Sequence, residues 1–365
     1  MYSVLTLHSP SSRREVLYKH TNLSNIANGS YLFSGMNVAT TNDPSYDTRD
    51  SSYVCSELIK QLHNVTNANY MFANTKGTPT TYTVDNVKYD TKYSLTVTIP
   101  NAKSANRMFE NSMAESVNVT LPNGKEGIDG IDCIFDNAPN LKHASLSAPN
   151  SKFFYYNTLS TSPLLETLHL DIPEATIISL PNSTFNKITG NFKSASDMSY
   201  CFNTCNNLTR FDIDLPSLED GKYMFSNCLN LEAFVANTPK LTNGTYMFNN
   251  CPKLETIIVD LSNIVQTDQM FQFCNLNATS LIHILETLPQ RTSSSTIKLP
   301  IKLMNGDTQI SNNSNHAATQ AALTQFAKEM MFDSWSEVNP AFNRKGWSVQ
   351  WCYGKTNTQI TGNYS

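Results

Sequence analysis

Short alternating stretches of apolar and polar residues recur along the chain, each opened by a leucine. They include Leu208-Thr-Arg-Phe-Asp-Ile-Asp-Leu215, Leu231-Glu-Ala-Phe-Val-Ala-Asn-Thr238 and Leu254-Glu-Thr-Ile-Ile-Val-Asp-Leu261. Successive side chains of a strand point to opposite faces, so each stretch predicts a strand with one buried face. Stretches opened by Leu141 and Leu165 fit the same frame. Aligned on that leucine, one inward column reads Ala144, Leu168, Phe211, Phe234, Ile257, and the next reads Leu146, Leu170, Ile213, Ala236, Val259. Pro149, Pro173, Pro216 and Pro239 then fall in one column. A residue without a backbone N–H ends a strand there at little cost.

A hexad precedes each strand. Tyr223-Met-Phe-Ser-Asn-Cys228 returns as Tyr246-Met-Phe-Asn-Asn-Cys251 and Gln269-Met-Phe-Gln-Phe-Cys274, and earlier as Tyr200-Cys-Phe-Asn-Thr-Cys205, with the cysteines 23 residues apart. Upstream the hexad survives at looser spacing, as Tyr31-Leu-Phe-Ser-Gly-Met36, Tyr70-Met-Phe-Ala-Asn-Thr75, Arg107-Met-Phe-Glu-Asn-Ser112 and Cys133-Ile-Phe-Asp-Asn-Ala138. Leu159 takes the Phe place in the next coil. A degenerate coil is expected between Glu174 and Ser196, because Leu165 and Leu208 stand nearly two periods apart.

One such unit cannot bury its apolar face alone, whereas stacked neighbours share a continuous core. The expected fold is therefore an α/β repeat solenoid of about ten coils, and at about 4.8 Å per coil a rod on the order of 50 Å long. Asn28-Gly29, Asp220-Gly221 and Asn243-Gly244 precede hexads, and are expected to supply turn geometry with φ above zero. Tyr-Met-Phe is expected to plug the interior, and the Asn that follows to bond backbone of the adjoining turn.

The pattern Met-Phe-x-Asn-Cys-x-x-Leu-Glu-x-Ile at this period resembles the BspA-like leucine-rich repeat family, in members of the kind encoded by gut bacteriophages, the crAss-like group among them. The resemblance is strong over Tyr200 to Cys274 and weaker from Asn28 to Asp197, where insertions at Asn37 to Glu57 and Gly77 to Tyr93 lengthen coils. The tail resembles the closing segment of such proteins. Thr279 to Leu288 reads as an amphipathic helix with Leu281, Ile284, Leu285 and Leu288 on one face. Ser295 to Pro300 reads as a strand, Ala317 to Met331 as a second helix, and Lys345 to Trp351 as a final strand. The expected organisation is an N-terminal arm over 1–27 and a solenoid over 28–275, irregular through 197 and regular from 198. A capping segment over 276–365 completes it, because an uncapped end exposes apolar surface and an unpaired strand edge.

Charge narrows the function classes. Only 15% of residues are charged and the formal net charge is −4, while Asn, Ser and Thr do much of the solubilising. Nucleic acid is therefore not an expected partner. No apolar run reaches the ~18 residues of a membrane span, and the start of the chain does not read as a secretory signal. Sequons such as Asn64-Val-Thr and Asn207-Leu-Thr are read as chance in a chain rich in Asn and Thr.

Chemistry is sparse. Cys205, Cys228, Cys251 and Cys274 share one repeat position and are expected to form a buried ladder of thiols, with Cys201 in the core beside them. The seven histidines lie in no nucleophile motif, and no phosphate loop, zinc-protease or dinucleotide motif appears. No catalytic, cofactor-binding or metal residue is assigned, and no cofactor is expected. The outward column Ser147, Asp171, Asp214, Asn237, Asp260 reads as a solvated edge rather than a calcium site. The other outward columns are His143, Thr167, Arg210, Ala233, Thr256 and Ser145, His169, Asp212, Val235, Ile258. The candidate binding face is His169, Arg210, Asp212, Val235, Thr256 and Ile258, where side chains of successive coils stand in register.

The leading expectation is a non-enzymatic virion component of a bacteriophage, tail- or capsid-associated, made in the host cytoplasm. Its partners would be other virion proteins, a host surface receptor, or further copies of itself, with Tyr2 to Leu17 as docking arm. The alternative is a bacterial surface adhesin, and a glycan-cleaving solenoid is the third and weakest reading.

Overall fold

The computed structural model describes residues 22–38, 53–54, 59–77, 93–123, 131, 133–155, 161–292, 295–301, 317–353 and 358–359. The expected arm Tyr2 to Leu17 and Leu159 lie outside them, as do most residues of both insertions.

The chain winds into stacked coils whose strands pair in parallel. Strands β1 (Asn37–Val38), β2 (Tyr53–Val54) and β3 (Lys76–Gly77) form a first short sheet in the order β2-β1-β3. Strands β4 (Tyr93–Thr98), β5 (Ala114–Thr120) and β6 (His143–Ser147) follow, then β7 (Phe153–Tyr155), β8 (Thr167–Asp171), β9 (Ile177–Ser179) and β10 (Lys187–Asn191). The main sheet runs β10-β8-β6-β5-β4, while β7 pairs with β9 on another side of the coil. Strands β11 (Arg210–Asp212), β12 (Ala233–Ala236) and β13 (Thr256–Val259) continue the stack as a second parallel sheet. The degenerate coil between Glu174 and Ser196 is present as β9 and β10.

Register is one repeat per layer. Phe211 pairs with Phe234 and Phe234 with Ile257, and Asp212 with Val235 and Val235 with Ile258. Both inward columns are buried and belong to one continuous core. Within it Phe202, Phe225, Phe248 and Phe271 stack with centroids 5.1, 5.8 and 5.8 Å apart. Phe211 and Phe234 meet Phe225 edge-on at 5.1 and 5.5 Å. Offset and edge-to-face contacts like these contribute about 0.5–1.5 kcal/mol per pair beyond area burial.

The thiol ladder is present, with no disulfide among its members. Cys201, Cys205, Cys228, Cys251 and Cys274 are buried free cysteines. The S–H groups of Cys228, Cys251 and Cys274 donate to the carbonyls of Phe202, Phe225 and Phe248 in the preceding coil at 3.0–3.1 Å. At Ser162 a hydroxyl takes this place, its Oγ donating to the Phe135 carbonyl of the preceding coil at 2.9 Å.

One expectation for the hexad is corrected. Met and Phe are buried, but the first residue turns outward: Tyr31 is 57% and Tyr200 46% exposed. Its backbone is left-handed in each clear copy, from φ 60° at Tyr31 and 58° at Tyr200 to 51° at Gln269. That conformation rotates the side chain out of the core and into a surface stack, in which Tyr200, Tyr223 and Tyr246 follow at 4.8 and 4.6 Å. The fifth residue is left-handed too, as Asn74, Asn111, Asn227 and Asn250, and asparagine tolerates that region best after glycine. The expected bond to the adjoining turn is made by Asn203, whose Nδ2 donates to the Ser226 carbonyl at 3.2 Å.

Positive φ does not fall on Gly29, Gly221 or Gly244. Those glycines are needed for room. A Cβ on Gly244 would stand 2.7 Å from the Met270 sulfur, and one on Gly29 2.5 Å from the Met71 methyl. Each lets the methionine of the next coil close down on its backbone.

Helix α1 (Ala278–Thr287) follows the last hexad and packs on β13. Asn277 caps it by accepting from the Ser280 N–H, and Leu281, Ile284 and Leu288 are buried. The free edge of β13 is closed by side chains, because Ser280 Oγ accepts from the Ile257 N–H at 2.8 Å and donates to the Glu255 carbonyl at 2.8 Å. Beyond it, β14 (Ser295–Ile301), helices α2 (Ala317–Glu329) and α3 (Val338–Arg344), β15 (Trp347–Tyr353) and β16 (Thr358–Gln359) complete the closing segment. In its sheet β14 pairs in parallel and β16 antiparallel with β15.

Candidate functional site

The outward columns of β11, β12 and β13 form a surface whose side chains are spaced by the strand ladder. Asp212, Val235 and Ile258 make its middle column. Around them lies a shallow depression of about 290 Å³, lined by Asp212, Asp214, Val235, Ala236, Asn237, Ile258, Asp260 and His283. A second, of about 430 Å³, lies where the two long sheets meet. It is lined by Thr189, Gly190, Asn191, Phe192, Lys193, Asp212, Ile213, Asp214 and Pro216.

Of the six candidate residues, the structure gathers Asp212, Val235 and Ile258 into the first depression. Arg210 stands beside it and holds Asp212, its Nη2 donating to Oδ2 at 3.0 Å and its Nε at 3.2 Å. Both partners are more than half exposed, so the pair adds little stability. Thr256 Oγ1 accepts from Asn277 Nδ2 at 3.3 Å at the start of the capping helix. His169 lies on the other sheet, where its Nδ1 is 2.9 Å from Thr189 Oγ1. The six therefore do not form one cluster. Ala233, read as outward, is buried at 8%, because so small a side chain is covered by its larger neighbours.

Asp214 and Asp260, read as a solvated edge, form the rim. Each spends one oxygen on a backbone amide: Asp214 Oδ1 accepts from the Asn237 N–H at 2.9 Å, and Asp260 Oδ1 from the Ser262 N–H at 2.8 Å. These bonds fix the carboxylates in place. His283 is the lining residue that the strand columns did not include. It arrives on α1, with its Nε2–H donating to the Val259 carbonyl at 3.0 Å, and no local pattern marks a contact spanning 24 residues.

The arrangement suits recognition. Asp212, Asp214, Asn237 and Ile258 are exposed, the depression is open, and among the described residues no group of three His, Cys, Asp or Glu is placed to hold a metal ion. Burial pushes the Cys205 thiol up to about 12 and raises those of Cys201, Cys228 and Cys251 well above the ordinary value. Burial thus disfavours the thiolate, which is the reactive form. No helix among the described residues is long and apolar enough to cross a membrane.

No curated protein matches the chain. The model of the BspA type leucine rich repeat region matches residues 182–300, in 6 copies. Over that span, which holds the whole of β11–β13 and the depression upon them, the chain is similar to a BspA-type leucine-rich repeat region, and its fold is a leucine-rich-repeat solenoid.

Proposed function

We propose that this solenoid is a non-enzymatic scaffold that holds protein partners on the strand face of β11–β13. The observation that carries this reading is the in-register column Asp212, Val235, Ile258, in which Ile258 is 43% exposed although its strand is paired with β12 and lies over the continuous core. Exposed apolar side chains on a preorganised support bind with little ordering cost. A leucine-rich-repeat solenoid of this type is typically such a scaffold.

The setting we propose is a bacteriophage virion, as a tail- or capsid-associated component that contacts neighbouring virion proteins, further copies of itself or a host receptor. The closing segment and the low-charge, Asn- and Thr-rich composition support it. The repeat match favours a second setting, a bacterial surface adhesin, through the role the family name suggests. Mass spectrometry of purified particles and of washed cell-surface fractions separates the two. Stoichiometric presence in particles is expected, and recovery from cell surfaces alone would replace the virion setting with the adhesin.

A further inference from the structure

We infer that the depression on β11–β13 receives an arginine or lysine side chain of a protein partner. Its methylenes would lie on Val235 and Ile258, and its charge would meet Asp214 and Asp260. This rests on the strand face being a docking surface, and adds the chemistry of what docks.

The floor is apolar and open, with Ile258 exposed and Val235 half-buried beside Ala236. The rim holds three carboxylates, Asp212, Asp214 and Asp260, against the single guanidinium of Arg210. An apolar side chain would fit the floor but strip water from carboxylates it cannot pair. An acidic one would meet like charge. A basic side chain satisfies both surfaces, because its stem is apolar and its end carries the charge and the donors. Asp214 and Asp260 are already oriented by their amide bonds, so they lose little freedom when a cation arrives.

The test is fluorescence anisotropy of the full chain with a labelled Gly-Ser-Arg-Leu-Arg-Ser-Gly peptide, and with the same peptide carrying citrulline, a neutral isostere, for arginine. The arginine peptide is expected to bind, and citrulline to weaken it on the order of tenfold. The double variant Asp214→Asn, Asp260→Asn is expected to weaken the arginine peptide alike and to leave the citrulline peptide unchanged. These are rim substitutions of similar shape, and a melting curve checks that the fold is retained. Equal binding of the two peptides, lost in Ile258→Asp, would overturn the basic-side-chain assignment and leave the docking face standing. Binding indifferent to Ile258→Asp, or no binding of the arginine peptide, would overturn the assignment, and the former would also remove the face.

Discussion

Thr204 is held at φ 62° in the place where the next two coils carry Asn227 at 64° and Asn250 at 59°. A β-branched residue pays most for a left-handed backbone, and asparagine little. Thr204→Asn is therefore expected to stabilise the protein by about 1 kcal/mol. Urea unfolding reads this directly, and an unchanged or lower midpoint would contradict it. Gly244 gives the opposite case. Replacing glycine by alanine ordinarily stabilises by restricting the unfolded chain, but here the new methyl would press on Met270, which is only 1% exposed. Gly244→Ala is expected to cost about 1 kcal/mol or more from overpacking, and a gain in stability would show that Met270 has room to move aside. Neither site could be assigned from its own sequence. Which glycine needs room and which residue bears the left-handed backbone are both settled by the coil next door.

The hexad, taken as an element, was the most legible part of the chain. A constant 23-residue spacing put Cys205, Cys228, Cys251 and Cys274 in one place, and identical environments follow from identical positions. The tyrosine was misread because an apolar trio looks like a plug, and only the backbone angle shows that its first member faces out. The thiol ladder has a consequence for pH. Each thiol is protonated in the folded chain because burial disfavours its charged form, whereas unfolding returns it to its ordinary value of 9.0. Its contribution is complete below that value and is lost as pH rises toward the folded value, about 12 for Cys205. Tyr93, buried and raised from 10.0 to about 12, adds to the loss at higher pH. Above pH 9.0 each thiol costs about 1.4 kcal/mol per pH unit. Melting temperature is expected to fall steeply as pH rises from about 9 toward about 12, and less steeply in a Cys228→Ala, Cys251→Ala variant. A flat profile would mean that the thiols are reached by water.

Across the whole molecule, the regular half and the cap could be read from the sequence because their patterns are local. The depression could be read only in part. Alternation placed Asp212, Val235 and Ile258 outward, but the bond that turns each rim aspartate into an oriented group, and the arrival of His283, are long-range. Bonds of the same long-range kind hold the closing segment together and, through Arg291, to the last coil. Lys345 Nζ donates to the Glu286 and Leu288 carbonyls at 2.7 and 2.9 Å, closing the end of α1. Trp347 Nε1 donates to the Pro289 carbonyl at 2.9 Å and packs under the Arg291 guanidinium, which itself donates to the Ile264 carbonyl. Trp347→Ala is expected to cost about 3–5 kcal/mol and to loosen the stack from that end. Hydrogen exchange is expected to rise first in residues 254–274 and later around Phe202, whereas a uniform rise would show that the stack unfolds as one unit.

Because every layer from Phe202 to Phe271 presents its neighbour with the same aromatic ring and the same carbonyl acceptor, the layers are interchangeable. Copying a full period into the gene would insert another plate of about 4.8 Å without altering the chemistry at either terminus. A copy one residue short would throw every downstream column out of line. The protein's reach is thus a matter of counting, free to lengthen or shorten in whole steps while what it grips stays the same.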